Sequence, residues 1–406
     1  MLQRILDSAS LDADICAMLL GISPRVFSQW CTGQSPIPES MVPRLASVFS
    51  VPRELLTISP KSSRNLNEAD LTSQIWFKFR GPDLVDADRE HVVLIRQMGH
   101  YMNELEEVTR QKSIQWKTAF DTVRGNVDMQ APPREQGKAA ARIFRQSNSL
   151  AQGATGSGEV LRGMLRALGV LVVEMPIAES RVEGCSFYVG STTAPRPCIF
   201  ANTHHGTWFR RNVILMHEVG HAIFEPFTGA SLDFADGNCL DAVELRAQAF
   251  AQEVLVPKEV LFHQAQLRSI KWNSLNANSL AELVASTHVE LKTLLGAATD
   301  AGFLTVEQID ELQRINISSR LAEISEHALS TEEYLKTISA DHADWIGKRT
   351  TTIGPRPIRL PVGYVNTVVD AYRNRQISPR KAASYLMIDE QELFERFGDV
   401  YSEVQL

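Results

Sequence analysis

His217-Glu218-Val219-Gly220-His221 is the stretch on which the reading of this sequence turns. Histidines four apart on a helix project from one face. Both imidazoles can then reach one ion at about 2.0–2.1 Å, the ordinary zinc–nitrogen distance. Glu218 sits beside that face, where its carboxylate can take a proton from water polarised by the metal. The residue counts give roughly 0.03 chance occurrences of such a pattern in a chain of this size. Apolar Val213, Met216, Val219 and Ile223 occupy the other faces of the same segment, so it reads as a helix packed in a core. The bland alternative is a solvated helix with two unrelated histidines.

A hydrolytic site of this kind needs a third protein ligand and an open fourth position. Glu225, Asp233, Asp236, Asp241, Glu244 and Glu253 all follow closely. Glu244 is the best placed, because Ala247 and Ala251 share its helix face and small residues permit close helix approach. Asp241-Ala-Val-Glu244 also has the form of a capping box. Spacing alone leaves those two readings even. Glu225 shares the histidine face, but a third ligand on the same helix would struggle to complete a tetrahedron.

The chain has 406 residues, 44% hydrophobic and 22% charged, the balance of a globular protein of two to four domains. A net charge of −7 argues against a general nucleic-acid coat or a membrane-surface protein. Five cysteines with no Cys-x-x-Cys spacing argue against a disulfide framework or a thiolate zinc cage. The N-terminus lacks a signal-peptide pattern, and no apolar run is long enough for a membrane span, so a cytoplasmic location is expected.

Along the chain, residues 1–60 read as short helices, with Gly21 ending the second, Ser23-Pro24 opening the third and Gly33 closing it. KSSRNLNEAD (61–70) is a linker, and His91 to Trp116 predicts one long helix within a helical linker over 61–130. Beyond 131 come two helices, three strand candidates (GVLVVEMP, GCSFYVG, RPCIFANT), the helix Trp208 to Phe224, a loop over 225–240 and the helix Asp241 to Val256. Residues 261–406 read as helical, interrupted by GPRPIRLP (354–361) as a proline-rich hinge.

The string HEVGH, followed by ELRAQAFAQEVLVP (244–257), resembles the ImmA/IrrE-type metallopeptidases. Glu244, Ala247, Phe250, Ala251, Leu255 and Pro257 fit that family's second motif, and Gln248 stands where it usually has Asn. CIFANT, Arg210-Arg211 and IWFKFR (75–80) fit more softly. The resemblance implies His217, His221 and Glu244 as ligands of Zn2+ and Glu218 as the catalytic base. It implies a zincin-like domain over 131–260 and regulated cleavage of a helix-turn-helix repressor or antitoxin in a stress, mobile-element or defence response.

LLGISPRVFSQWCTGQSPIP (19–38) resembles the second and third helices of a Cro/repressor-type helix-turn-helix. The base-reading positions would then fall on Pro24, Arg25, Ser28 and Gln29. Four basic against five acidic residues in 1–60 make a poor electrostatic footprint for DNA, so a docking or dimerisation module is the alternative. Residues 346–388 carry eight basic residues against Asp370 alone, which fits a solvated face, an acidic partner or nucleic acid. The helix after Asp389 looks like another helix-turn-helix half, too acidic to read DNA.

The expectation is a mostly α chain with a central α+β metallopeptidase domain, an N-terminal all-α helix-turn-helix and a helical C-terminal region. Its expected partners are a protein substrate, with DNA through residues 1–60 or a second copy of the chain as further candidates, and no membrane. The alternative functions are a DNA-binding regulator that uses the zinc domain as a sensor, and a toxin–antitoxin or phage-defence component.

Overall fold

The computed structural model describes residues 1–8, 11–49, 51, 53–57, 86–109, 115–150, 153, 155, 158–178, 180–191, 194–204, 206–225, 231–234, 242–330, 333, 345–351 and 354–401. The linker 61–70, IWFKFR, Asp236, Cys239 and Asp241 lie outside the described residues.

Five short helices open the chain: α1 (Leu2–Ser8), α2 (Ala13–Leu19), α3 (Pro24–Thr32), α4 (Val42–Val48) and α5 (Arg53–Thr57). Then come α6 (Asp86–Thr109), α7 (Trp116–Gly125), α8 (Pro133–Ser147) and α9 (Glu159–Leu168). The central region contains β1 (Leu171–Met175), β2 (Val182–Ser191), β3 (Ala194–Asn202), α10 (Trp208–Phe224), β4 (Ser231–Phe234) and α11 (Ala242–Leu255). It is followed by α12 (Lys258–Leu267), α13 (Ala277–Thr287), α14 (Leu291–Asp300), α15 (Val306–Leu312) and α16 (Ser318–Ile324). The chain ends with β5 (Ile346–Thr351), β6 (Gly354–Arg359), α17 (Val362–Arg373), α18 (Pro379–Leu386) and α19 (Glu390–Phe397). The fold is mostly helical with a small mixed sheet.

The sheet order is β1-β3-β2-β4, with β1 parallel to β3 and the other pairs antiparallel. Side chains alternate across a strand, and here the two faces feed two separate cores. Val173, Cys185, Phe187 and Phe200 face a core shared with α6 and with both terminal regions. Ile199 and Ala201 face a second core built on α10, α11 and the helices after them. The result is three layers, with α6 below the sheet and α10 above it.

Three close approaches set these layers. At Gly99 of α6 a Cβ would lie 2.9 Å from Cys198 Sγ and 2.9 Å from the Phe187 ring, so α6 lies directly on β2 and β3. At Gly220 of α10 it would lie 3.2 Å from Ala247 Cα of α11. At Gly137 of α8 it would lie 2.9 Å from both Ala249 Cβ and the Phe250 nitrogen. Helices meet at such distances only where small residues face each other.

The structure changes three parts of the sequence reading. The helix expected over 91–116 does not reach Trp116 as one: α6 is described as Asp86–Thr109, Gln115 is a turn residue, and Trp116 opens α7 with its ring against Phe120 and Tyr188. The segment read as a linker thus contains a helix buried along most of its length, with His91, Arg96, Gln97, His100 and Asn103 inside as well as its apolar residues. Its polar content hid that burial. The 225–240 loop contains β4, a fourth strand too short to show a period. The proline-rich hinge at 354–361 is instead mostly strand β6, paired with β5 from Ile346↔Arg359 to Thr351↔Gly354. A two-stranded ribbon has an open edge on each strand, so Pro355 and Pro357 need not supply a ladder N–H.

Gly137→Ala should lower stability by about 1–3 kcal/mol, because the added methyl must force α8 from α11. Gly163 of α9 has nothing within 4 Å of its added Cβ. Gly163→Ala should be neutral or stabilising by about 0.5–1 kcal/mol. Urea midpoints of the two variants should therefore move in opposite directions, and equal losses would contradict the packing described.

Candidate metal centre

Helix α10 is buried on almost every side, and it carries His217, Glu218 and His221 into the interior. Its N-terminal turn is tied down by charge. Arg210 bridges Glu183 of β2 at 2.6 Å and Glu290 at 2.7 Å. Asn212 donates to the His288 carbonyl at 2.9 Å and accepts from Arg162 at 2.8 Å. These contacts fix the rotation and height of α10 over the sheet, and so the direction of its histidines.

The two imidazoles meet with their Nε2 atoms 3.0 Å apart. Glu244, in the first turn of α11, closes the triangle. Its Oε2 lies 3.1 Å from His217 Nε2 and its Oε1 lies 3.4 Å from His221 Nε2. Among the described residues these three form the one cluster of metal-ligand type, with donor atoms all within 4.8 Å of one another. Donors about 2.0–2.1 Å from a tetrahedral ion sit roughly 3.3 Å from each other. The observed spacings fit such an ion, and two imidazoles and one carboxylate suit a borderline-soft divalent cation.

Glu218 is fully buried beside the triangle. Gly184 of β2 makes its space: a Cβ there would lie 2.8 Å from Glu218 Oε1 and 2.6 Å from Ile214 Cγ2. The β2–β4 register also shifts between Val182 and Gly184. A lone glycine inside a strand pattern is a signal of a bulge or a close approach. That signal was present in GCSFYVG.

Glu225 does not join the triangle. Its Oε2 lies 3.2 Å from His221 Nδ1, on the far side of the ring. Arg246 pairs with its other oxygen, and Arg246 also donates to Gln136 Oε1 at 3.0 Å and lies over the Phe224 ring. A carboxylate on Nδ1 fixes the tautomer and leaves Nε2 free for a ligand bond. Burial disfavours a charged His221, but hydrogen bonds that it donates to the Glu225 and Glu244 carboxylates hold its pKa up to about 10. Burial would likewise raise the Glu244 carboxyl, and its bonds to His217 and His221 overcome this and hold it well below the usual range. A cation entering the triangle would displace the protons these groups share.

Glu253, another candidate, pairs with Arg142 at 2.8 Å on the surface instead. Asp233 lies on β4. Arg25 and Ser28 are exposed on α3 and Gln29 is half-buried there, in the N-terminal unit rather than at the metal triangle.

Residues 165–294 match the Peptidase_M78 family model, the IrrE N-terminal-like domain. The match runs from the end of α9 to the start of α14, and it includes all four residues of the HEVGH–Glu244 constellation. It supports a metallopeptidase-type domain, and the His/Glu triangle is the part of that domain able to hold a metal. Searches of curated proteins and of solved structures gave no match.

Loss of the Glu225 carboxylate should weaken metal retention in the M78-like domain about 10–100-fold. Glu225→Gln in competition with a chromophoric chelator measures this, with Glu253→Gln as the control that should match wild type. Equal retention in Glu225→Gln would remove Glu225 from the support of His221.

Proposed function

We propose that this chain is a zinc-dependent endopeptidase that cleaves a partner protein. The observation that carries the reading is the convergence of His217, His221 and Glu244 beside the buried carboxylate of Glu218. A divalent cation held there supplies a Lewis acid that polarises a peptide carbonyl and makes water a stronger acid. Glu218 would accept the water's proton on a carboxylate oxygen and pass it to the departing amine. Glu225 and Arg246 would hold His221 in position. The burial of His217, Glu218 and His221 lowers the local dielectric and sharpens each of these interactions.

The reading of the substrate rests on the family likeness. It is a helix-turn-helix repressor or antitoxin, cut in a stress, mobile-element or defence response in the cytoplasm. β4 is one of the two outer strands of the sheet among the described residues, and it follows the metal helix in the chain. An extended polypeptide could add to such an edge by main-chain hydrogen bonds. No described helix is long and apolar enough to cross a membrane.

A second reading has its own support. α2 and α3 are joined by a short turn through Gly21, whose φ is +66, with Ser23 as the N-cap of α3 and Arg25 and Ser28 exposed. A Cro/repressor-like unit over residues 1–60 could bind DNA through Arg25, Ser28 and Gln29, with the M78-like domain as its sensor. Asp12 and Asp14 at the start of α2 weaken this reading, since a helix N-terminus that meets phosphate should not carry acids.

Co-expression with candidate helix-turn-helix proteins, wild type against Glu218→Gln, tests the enzyme reading. The variant should keep its metal and lose cleavage by about 100- to 10,000-fold, the usual weight of a general base. Equal cleavage by both proteins would refute it.

A further inference from the structure

The two ends of the chain share one core with α6, and their local geometry repeats. Asp12 caps α2, and 366 residues later Ser378 caps α18. Gly21 takes the left-handed conformation after α2 with φ +66, and Met387 takes it after α18 with φ +54. Ser23 precedes α3, and Asp389 precedes α19 and caps it. All three correspondences hold at the same offset of 366.

Backbone hydrogen bonds repeat at that offset too. Cys16 N donates to Asp12 O at 3.0 Å, and Ala382 N to Ser378 O at 2.9 Å. Gly21 N donates to Met18 O at 3.0 Å, and Met387 N to Ser384 O at 3.2 Å. Ile22 N donates to Ala17 O at 2.8 Å, and Ile388 N to Ala383 O at 3.0 Å. Phe27 N donates to Ser23 O at 3.0 Å, and Leu393 N to Asp389 O at 3.0 Å. A left-handed residue that closes a helix is common by itself. A capped helix, a left-handed turn and a second helix in one register are not. The inner anchors agree as well: Phe27 and Leu393 are both fully buried, as are Leu20 and Leu386, and the helices before them bury Leu6 and Tyr372.

The outer faces differ. α3 presents Arg25 and Ser28 to solvent, whereas α19 presents Glu390, Gln391 and Glu395, with Arg396 paired to Glu392. What repeats is the inner packing, and what differs is the charge a nucleic-acid reader would need.

The two units meet on α6. Tyr101 OH lies 2.9 Å from Ser384 Oγ, and a Cβ at Gly21 would lie 3.0 Å from the same oxygen. Arg44 donates to Leu20 O at 2.7 Å and to Tyr101 OH at 3.3 Å. Tyr385 OH donates to Glu104 at 2.7 Å, and Lys381 lies 3.3 Å from the same carboxylate. β5 bridges the pair, because Lys348 N donates to Met387 O at 2.7 Å while the strand also touches α2. These polar contacts line the junction of the two units, beside the apolar core that both share with α6.

We infer that residues 362–398 are a second copy of the unit formed by residues 2–33, and that it serves as the resident docking partner of that unit. The surface made by the Gly21 turn, Tyr101 and Glu104 accepts a three-helix unit of this type, and in this chain it is filled in cis. A second copy of the chain can dock there only where the C-terminal unit is displaced.

Hydrogen exchange and light scattering on the full chain test this, with wild type, Ser384→Arg and Lys381→Glu. Ser384→Arg drives a long cation against Gly21 and Tyr101. Lys381→Glu, at a half-exposed position, sets a second acid against Glu104 and leaves the fold of α18 intact should the first variant unfold it. Wild type should be monomeric. Both variants should lose amide protection in 13–32 and 379–397 together, tenfold or more in Ser384→Arg, while 208–224 stays as protected as in wild type. Unchanged protection of 13–32 in both variants would overturn the pairing. So would a wild-type dimer that Ser384→Arg dissolves, since the face would then be intermolecular.

Discussion

Two buried imidazole nitrogens lie 3.0 Å apart with one carboxylate reaching both, and the central region of the structure depends on holding them there. Packed groups of this kind are costly without a shared proton or a cation. The chain meets that cost with geometry. Gly220 and Ala247 let α10 and α11 come close enough for Glu244 to reach across. Glu225 and Arg246 hold the outer side of His221, and Arg210 pins the start of α10 to β2.

The sheet links this centre to the rest of the chain. β2 lies over Glu218 at Gly184, and its next residue, Cys185, faces the opposite core. Burial pushes the Cys185 thiol well up, with Glu218 adding to the effect, so that sulfur is inert filling and not a nucleophile. On that opposite side, α6 carries the two terminal units. One strand is therefore packed between the candidate chemistry and the core that holds the two terminal units.

Much of this was legible in the sequence, for reasons that differ by residue. α10 was readable to its ends because a strong apolar period and the two histidines coincide from Trp208 to Phe224. Glu244 was ambiguous because a first-turn acid serves a cap and a ligand equally well, and only the path of α11 brings its carboxylate onto both rings. Glu225 was noticed for its spacing from His221, but spacing does not say which ring nitrogen it meets. Arg246 and Gly184 were missed, since each acts through an element distant in sequence. α6 read as an amphipathic helix in a linker, and the extent of its burial did not show because Arg96, Gln97 and His100 are buried among its apolar residues. The helix after Asp389 already looked like another helix-turn-helix half, but the register of its match to the N-terminal unit resides in caps, turn conformation and hydrogen bonds, with few identical side chains.

The central claim is that His217, His221 and Glu244 form one ligand set, and cobalt substitution tests it most directly. The chain should take up one equivalent of Co2+ and show the intense visible absorption of a four-coordinate site. Glu244→Ala should lose most of that intensity and release the metal to a weak chelator, while retaining the helical content of the wild type. An unchanged spectrum and undiminished retention in Glu244→Ala would contradict the account and return Glu244 to a capping role.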